Sequence, residues 1–131
     1  MAFQVVLVTP EQQVLDESAT HAIVPAHDGE LGILSGRAPL LVKLGIGILR
    51  LDLTGGQKRA FFIDGGIAQV KDNRLTIVTT EARTASEVDP EEARAEAAEA
   101  AAQRVMDDQA FEARQRAMQR ARAKQELVSR R

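Results

Sequence analysis

Hydrophobic and polar positions alternate along the first two thirds of the chain and then change period. Leu49-Arg50-Leu51-Asp52-Leu53 places three leucines on one side of an extended segment and two charges on the other. Gly55-Gly56 predicts a tight turn onto a second strand, Arg59-Ala60-Phe61-Phe62-Ile63. Comparable runs at Phe3 to Val8, Val14 to Val24, Gly66 to Val70 and Leu75 to Val78, with a further turn at Asp72-Asn73, predict short strands packed as two antiparallel sheets. Asp64-Gly65-Gly66 reads as a bend between two of these strands. The segment from Asp28 to Leu41 sets Gly29, Gly32, Gly36 and Pro39 among leucines and isoleucines. That mixture predicts tight loops with buried apolar residues and charged tips, Asp28, Glu30 and Arg37, turned toward a partner.

Beyond Thr84 glycine disappears, alanine dominates and charges recur at helical spacing. The predicted seam lies near Arg83 to Val88, dividing a β unit over residues 1–84 from a helical arm over 85–131. Asp89-Pro90-Glu91-Glu92 predicts a helix start: Asp89 caps, Pro90 suits the first helical position and Glu92 completes a capping box. Helix one is expected over about Pro90 to Met106. After a break at Asp107-Asp108, in which Asp108 caps, helix two is expected over about Gln109 to Val128. The fold class predicted is α+β, an N-terminal antiparallel β-sandwich followed by a C-terminal antiparallel α-helical hairpin.

Helix one and its flanks are acidic, whereas helix two carries Arg114, Arg116, Arg120, Arg122 and Lys124, so opposite charges would lie side by side. The facing stripes are mostly alanine: Ala93, Ala97, Ala100 and Val105 opposite Ala110, Ala117 and Ala121. A methyl contributes about 0.8 kcal/mol when buried, and exposed charge pairs at most about 1 kcal/mol each, screened by salt. Strong helix propensity with weak attachment predicts a movable arm.

A length of 131 residues suits one domain with an appendage, and a net charge of −2 gives no reason to expect nucleic acid or an anionic membrane as partner. The absence of cysteine excludes disulfide scaffolds, thiolate metal sites and cysteine nucleophiles. The start of the chain lacks the pattern of a signal peptide, and no apolar run approaches a membrane span, so a soluble protein without direct membrane insertion is expected. His21 and His27, six apart, do not form a helical metal pair and read as a strand and a loop residue. Asp28 and Glu30 resemble a glycosidase carboxylate pair only in composition, because aromatics make up 3% of the chain and no tryptophan or tyrosine lines a sugar site. Gly65-Gly66 is not followed by a phosphate-loop lysine, and no serine sits in a nucleophile elbow. The basic run from Arg114 to Lys124 suits either phosphate or an acidic protein surface, or a solvated helix face, and its acidic neighbour favours the last. No catalytic residue, metal or cofactor is expected. A free-standing small-ligand or adaptor module with a helical cap is the alternative from another class.

Two stretches carry a family resemblance: Val24-Pro25-Ala26-His27-Asp28-Gly29-Glu30-Leu31-Gly32-Ile33-Leu34-Ser35-Gly36-Arg37-Ala38-Pro39-Leu40-Leu41 and Phe62-Ile63-Asp64-Gly65-Gly66-Ile67-Ala68-Gln69-Val70. The chain resembles the epsilon subunits of bacterial F-type ATP synthases, called delta in mitochondria. It departs from the usual pattern at Ala26, Ser35 and Arg37, where glycine, proline and histidine are typical. The resemblance implies a non-catalytic rotor subunit of the central stalk, in which the sandwich binds the gamma subunit and rests on the proton-driven c-ring. It also implies an arm that folds down or extends into the alpha/beta catalytic head to inhibit ATP hydrolysis. Asp28, Glu30 and Arg37, with Gly29, Ser35 and Gly36, become candidates for ring contact; Asp89, Glu92, Arg94, Arg114, Arg120 and Arg122 become candidates for the arm. The location implied is peripheral, on the cytoplasmic face of the bacterial plasma membrane. Some members bind ATP through Ile/Leu-Asp-x-x-Arg-Ala at the start of helix one. Here Val88-Asp89-Pro90-Glu91-Glu92-Ala93-Arg94-Ala95 preserves the motif in neither register, whether Asp89 or Glu91 with Arg94 is aligned, so weak or absent ATP binding is expected.

Overall fold

The computed structural model describes residues 2–102 and 107–129, and the expected continuation of helix one through Val105 and Met106 lies outside them. The strands are β1 (Phe3–Val8), β2 (Gln13–Ala26), β3 (Gly29–Leu34), β4 (Leu40–Leu53), β5 (Lys58–Lys71), β6 (Arg74–Val78) and β7 (Ala82–Arg83). A 3₁₀ turn at Ala85–Glu87 leads to α1 (Pro90–Ala102) and α2 (Asp108–Ser129).

The strand order is β1-β6-β5-β4-β2-β3, and β1 also pairs with the first half of β2, so the sheet closes on itself into two layers. All pairings are antiparallel except β1 with β6, which run parallel from Gln4–Arg74 to Val8–Val78. Purely antiparallel sheets were expected, and this one pair differs because the chain returns to its first strand after a full circuit of the sandwich. The core is apolar throughout: Val5, Leu7, Ala22, Val24, Leu49, Leu51, Ile63 and Leu75 are fully buried or nearly so.

Three strands are longer than periodicity predicts. Arg59 to Ile63 and Gly66 to Val70 are one strand, β5, and the expected bend lies inside it. Across that bend the buried parity changes. Leu44, Ala68 and Val70 point inward on one side, while Leu49, Leu51, Phe61 and Ile63 do so on the other. Each register partner switches together with its neighbour, so the pair of strands turns as a unit and serves both layers. Gly66 makes the turn possible: its φ is +117°, and a Cβ there would lie 2.0 Å from the Val78 carbonyl oxygen.

The segment from Asp28 to Leu41 is also more regular than predicted. Gly29–Leu34 pairs along its whole length with β2, leaving turns only at His27-Asp28 and Ser35-Gly36. Strand alternation then exposes part of what was expected to be buried: Ile33 is enclosed, but Leu34 and Leu41 are 60% and 69% exposed. The Asp72-Asn73 turn is as expected, with φ of +51° and +58°, the left-handed pair that a two-residue antiparallel hairpin requires.

The arm docks through a second apolar cluster in which Ile48 and Phe62 of the sheet meet Val88, Ala93, Ala123 and Leu127. Asp89 caps α1 by accepting the Glu91 N–H at 3.0 Å. At α2 the cap is Asp107, which accepts the Ala110 N–H at 2.7 Å, one residue earlier than the expected Asp108. The difference follows from geometry, because Asp108 already lies in the first helical turn.

Candidate functional site

The outward face of β4 and β5 is divided at the glycine bend. One half, built from Ile46, Ile48, Ala60 and Phe62, is covered by the arm. The other half carries Leu41, Ile67 and Val78 on neighbouring rows of β4, β5 and β6, with exposures of 69%, 50% and 52%. Lys43, Gln69 and Thr76 stand among them on the same face. An open apolar row with polar flanks is what a docking face presents.

The arm's seat centres on Phe62. The Arg120 guanidinium lies 5.4 Å from the ring centroid and the Lys124 ammonium 5.3 Å. Arg120 Nη1 donates to Asp64 and Nη2 donates to Glu81 Oε2 at 3.0 Å; partial burial draws its pKa below the usual guanidinium value. Lys124 is 3% exposed and donates to both Glu96 carboxylate oxygens, at 2.8 and 3.2 Å, so one buried cation ties α1, α2 and the sheet together. The basic charges of α2 are therefore answered by the sheet as well as by α1. Arg114 serves otherwise, donating through Nε to Ala100 O at 3.1 Å and through Nη2 to Ala101 O at 3.3 Å at the end of α1. Arg122 is exposed.

The ring-contact candidates fall into two groups at opposite ends of β3, roughly 17 Å apart at the rise of an extended strand. At one end Asp28 is exposed, with His27 Nδ1 4.0 Å away. Beside it Gly29 has a φ of +138°, and Glu30 accepts from Arg50 Nη2 at 2.7 Å. At the other end Ser35 and Gly36 are pinned to the β5–β6 turn. Asn73 Oδ1 accepts the Gly36 N–H at 3.0 Å, and the Ser35 hydroxyl lies 3.2 Å from the same oxygen and 3.3 Å from Ala2 O. Serine at position 35 thus supplies a hydrogen bond to the seam between the chain start and this turn. Arg37 is exposed and has no partner among the described residues. Of the arm candidates, Asp89 is engaged as a cap, Glu92 is exposed, and Arg94 is held 3.3 Å from Glu91 on the outer face of α1. Asp89, Glu91 and Arg94 are all exposed at the start of α1. Phe62, Asp64, Glu81 and Lys124 form the arm's seat, which pattern reading did not bring together. The available signal was the spacing of Arg120, Lys124 and Leu127, which stacks them on one helical face.

A closed β platform with one open apolar face and a helical arm latched to the other half has the architecture of a docking subunit with a helical appendage. Residues 2–85 match the family described as the ATP synthase delta/epsilon chain beta-sandwich domain. The chain is 43% identical over 100 residues to the ATP synthase epsilon chain of Rhodopirellula baltica, covering 76% of this chain and 77% of that one. It is 40% identical over 96 residues to that of Microcystis aeruginosa, covering 73% and 69%. In structure it is similar to a chain of the Euglena gracilis mitochondrial ATP synthase assembly of OSCP, F1 and c-ring, with a TM-score of 0.84, 26% identity, and coverage of 93% of this chain and 78% of that one. The same fold recurs in the central stalk and c-ring assembly of the Tetrahymena thermophila enzyme, with a TM-score of 0.71 at 20% identity, covering 95% of each chain. The chain belongs to the epsilon family of F-type ATP synthase subunits. It is a non-catalytic subunit of the central stalk. As part of that complex it is membrane-associated, and among the described residues no helix is long and apolar enough to cross a membrane.

Proposed function

We propose that the sandwich seats the gamma subunit on its open apolar face and stands on the c-ring through the turns at the ends of β3, passing rotation between them. The observation that carries this reading is the row of Leu41, Ile67 and Val78, left open on the one half of the face that the arm does not cover. Asp28 and Arg37 are the exposed charges available to polar loops of the ring, and Glu30 reaches it only by sharing its bond to Arg50. The arm, latched at Phe62, is a brake in its folded, released state; extended, it enters the alpha/beta head and slows hydrolysis. The subunit works on the cytoplasmic face of the bacterial plasma membrane. ATP is not a strong ligand of the arm, because Asp89 caps the helix and Arg94 is paired with Glu91.

Two variants in the assembled enzyme test the two halves of this reading. Truncation after Val88 is expected to leave assembly intact and raise ATP hydrolysis; unchanged hydrolysis removes the brake and leaves the docking role. Ile67→Asp is expected to weaken capture of gamma while the isolated chain keeps its thermal stability, and undiminished capture removes the apolar face as the seat.

A further inference from the structure

We infer that the end of the sandwich at the β5–β6 turn is an electrostatic contact for the anionic headgroups of a phospholipid surface. Lys71 closes β5 and Arg74 opens β6, and the two face each other directly across the strand pair on either side of Asp72-Asn73. Like charges in that register destabilise a hairpin, so the fold itself does not account for the pair. A third cation joins them, because Asn73 Oδ1 accepts the Gly36 N–H and so holds Arg37 at the same end. All three are exposed, and none is paired with a carboxylate among the described residues. Asp72 is the one acid in the turn. The overall charge of −2 gave no reason to expect an anionic membrane, but that charge is spread unevenly, and this end is basic while α1 is acidic.

The same hairpin holds an open recess of about 400 Å³, lined by Gln69, Lys71, Asp72, Arg74 and Thr76. Two cations, an amide and a hydroxyl in one recess are donors suited to the oxygens of a phosphodiester. No residue of the arm lines it. Leu34, three residues before Arg37, is 60% exposed and adds an apolar side chain of the kind that enters a headgroup layer. Open cations without an enclosing pocket fit a fluid array of like anions, where no fixed register with one partner is required.

The contact need not be strong. A chain that is already part of a membrane-associated complex meets lipid at high effective concentration, so a few screened charges suffice to keep this end at the surface. That this end points to the membrane rests on the proposed standing of the β3 turns on the c-ring; binding of vesicles by the free chain does not.

The test uses the full chain with vesicles of equal parts phosphatidylglycerol and phosphatidylcholine, read by flotation at low salt. Retention is expected on these vesicles and not on phosphatidylcholine alone, and it should vanish at about 1 M salt, where the Debye length falls to about 3 Å. Lys71→Gln with Arg74→Gln should weaken the partition by about 30-fold. Both residues are exposed and their replacement relieves a like-charge pair, so the fold is retained. Lys58→Gln with Arg59→Gln removes the same charge from the opposite end of β5, about 40 Å away along an extended strand, and should change the partition by less than about threefold. No retention on the anionic vesicles, or equal weakening by the two variants, overturns the contact. Displacement by inorganic phosphate at matched ionic strength would make the recess a site for free phosphate and overturn the lipid reading. Retention on immobilised polyglutamate without retention on vesicles would assign the patch to an acidic protein surface and overturn it likewise. The assay contains no other subunit, so failure of the seating on the ring leaves this result interpretable.

Discussion

Replacing Arg120 with alanine should unlatch the arm without unfolding the platform. Arg120 holds two carboxylates, Asp64 and Glu81, and covers the face of Phe62. Its side chain is 28% exposed and the carboxylates 29% and 22%, so the pairs are partly screened and each contributes at most about 1 kcal/mol. The cation over the ring adds about 1 kcal/mol. The three contacts share one side chain and do not add fully, so the loss is roughly 2 kcal/mol, which raises the detached population by about 30-fold. Asp64 and Glu81 are then left near each other without their common cation, which acts in the same direction. Native-state hydrogen exchange reads this directly. The amides of Ala93 to Ala121 should lose about 2 kcal/mol of protection, while those of Leu49 to Leu53 keep theirs. A change of less than about 0.5 kcal/mol in the arm would refute the latch, being no more than an ordinary surface substitution produces. An equal loss in both regions would refute its locality, since Arg120 would then stabilise the whole domain.

Two further predictions concern the platform and its junction. Gly66→Ala should destabilise the sandwich by more than about 4 kcal/mol in chemical denaturation, because the added Cβ meets the Val78 carbonyl at 2.0 Å and the φ of +117° suits only glycine; a loss below about 1 kcal/mol would mean that β5 relaxes freely there. Glu87 is held below its ordinary pKa of 4.5, first by the backbone N–H of Thr84 and then by its hydroxyl. A lowered carboxyl stabilises the folded junction above that ordinary value, and the contribution is lost as pH falls through the folded value. Exchange at Thr84 to Val88 should therefore quicken on acidification, and Glu87→Gln should flatten that pH dependence.

Local grammar made much of this fold legible. The leucine alternation at 49, 51 and 53 identified a half-buried strand because burial on one face demands period two. Asp89-Pro90 marked the start of α1 because a cap and a preset φ act within a few residues. What pattern could not supply was anything decided by distant partners. Gly65-Gly66 reads locally as a break, yet β5 continues through it because β4 turns in step beside it. Leu34 and Leu41 look like core residues until the pairing of β3 with β2 and of β4 with β5 assigns them to the outside. Arg120 reads as one charge in a basic run, and only the fold brings Asp64 and Glu81 to it. The candidates around β3 were recognisable as a segment, but their separation into two ends followed from that segment being extended.

The parallel pairing of β1 with β6 also bears on the order in which the molecule is made. Val5 finds Leu75 beside it, so the first strand to leave the ribosome waits for nearly the whole sandwich before its second edge is covered. All seven strands precede α2 in the chain, so the platform is complete in sequence before that helix begins. The arm's seat, Ile48 and Phe62, is therefore laid down by strands that precede it, and the arm joins that surface last in chain order.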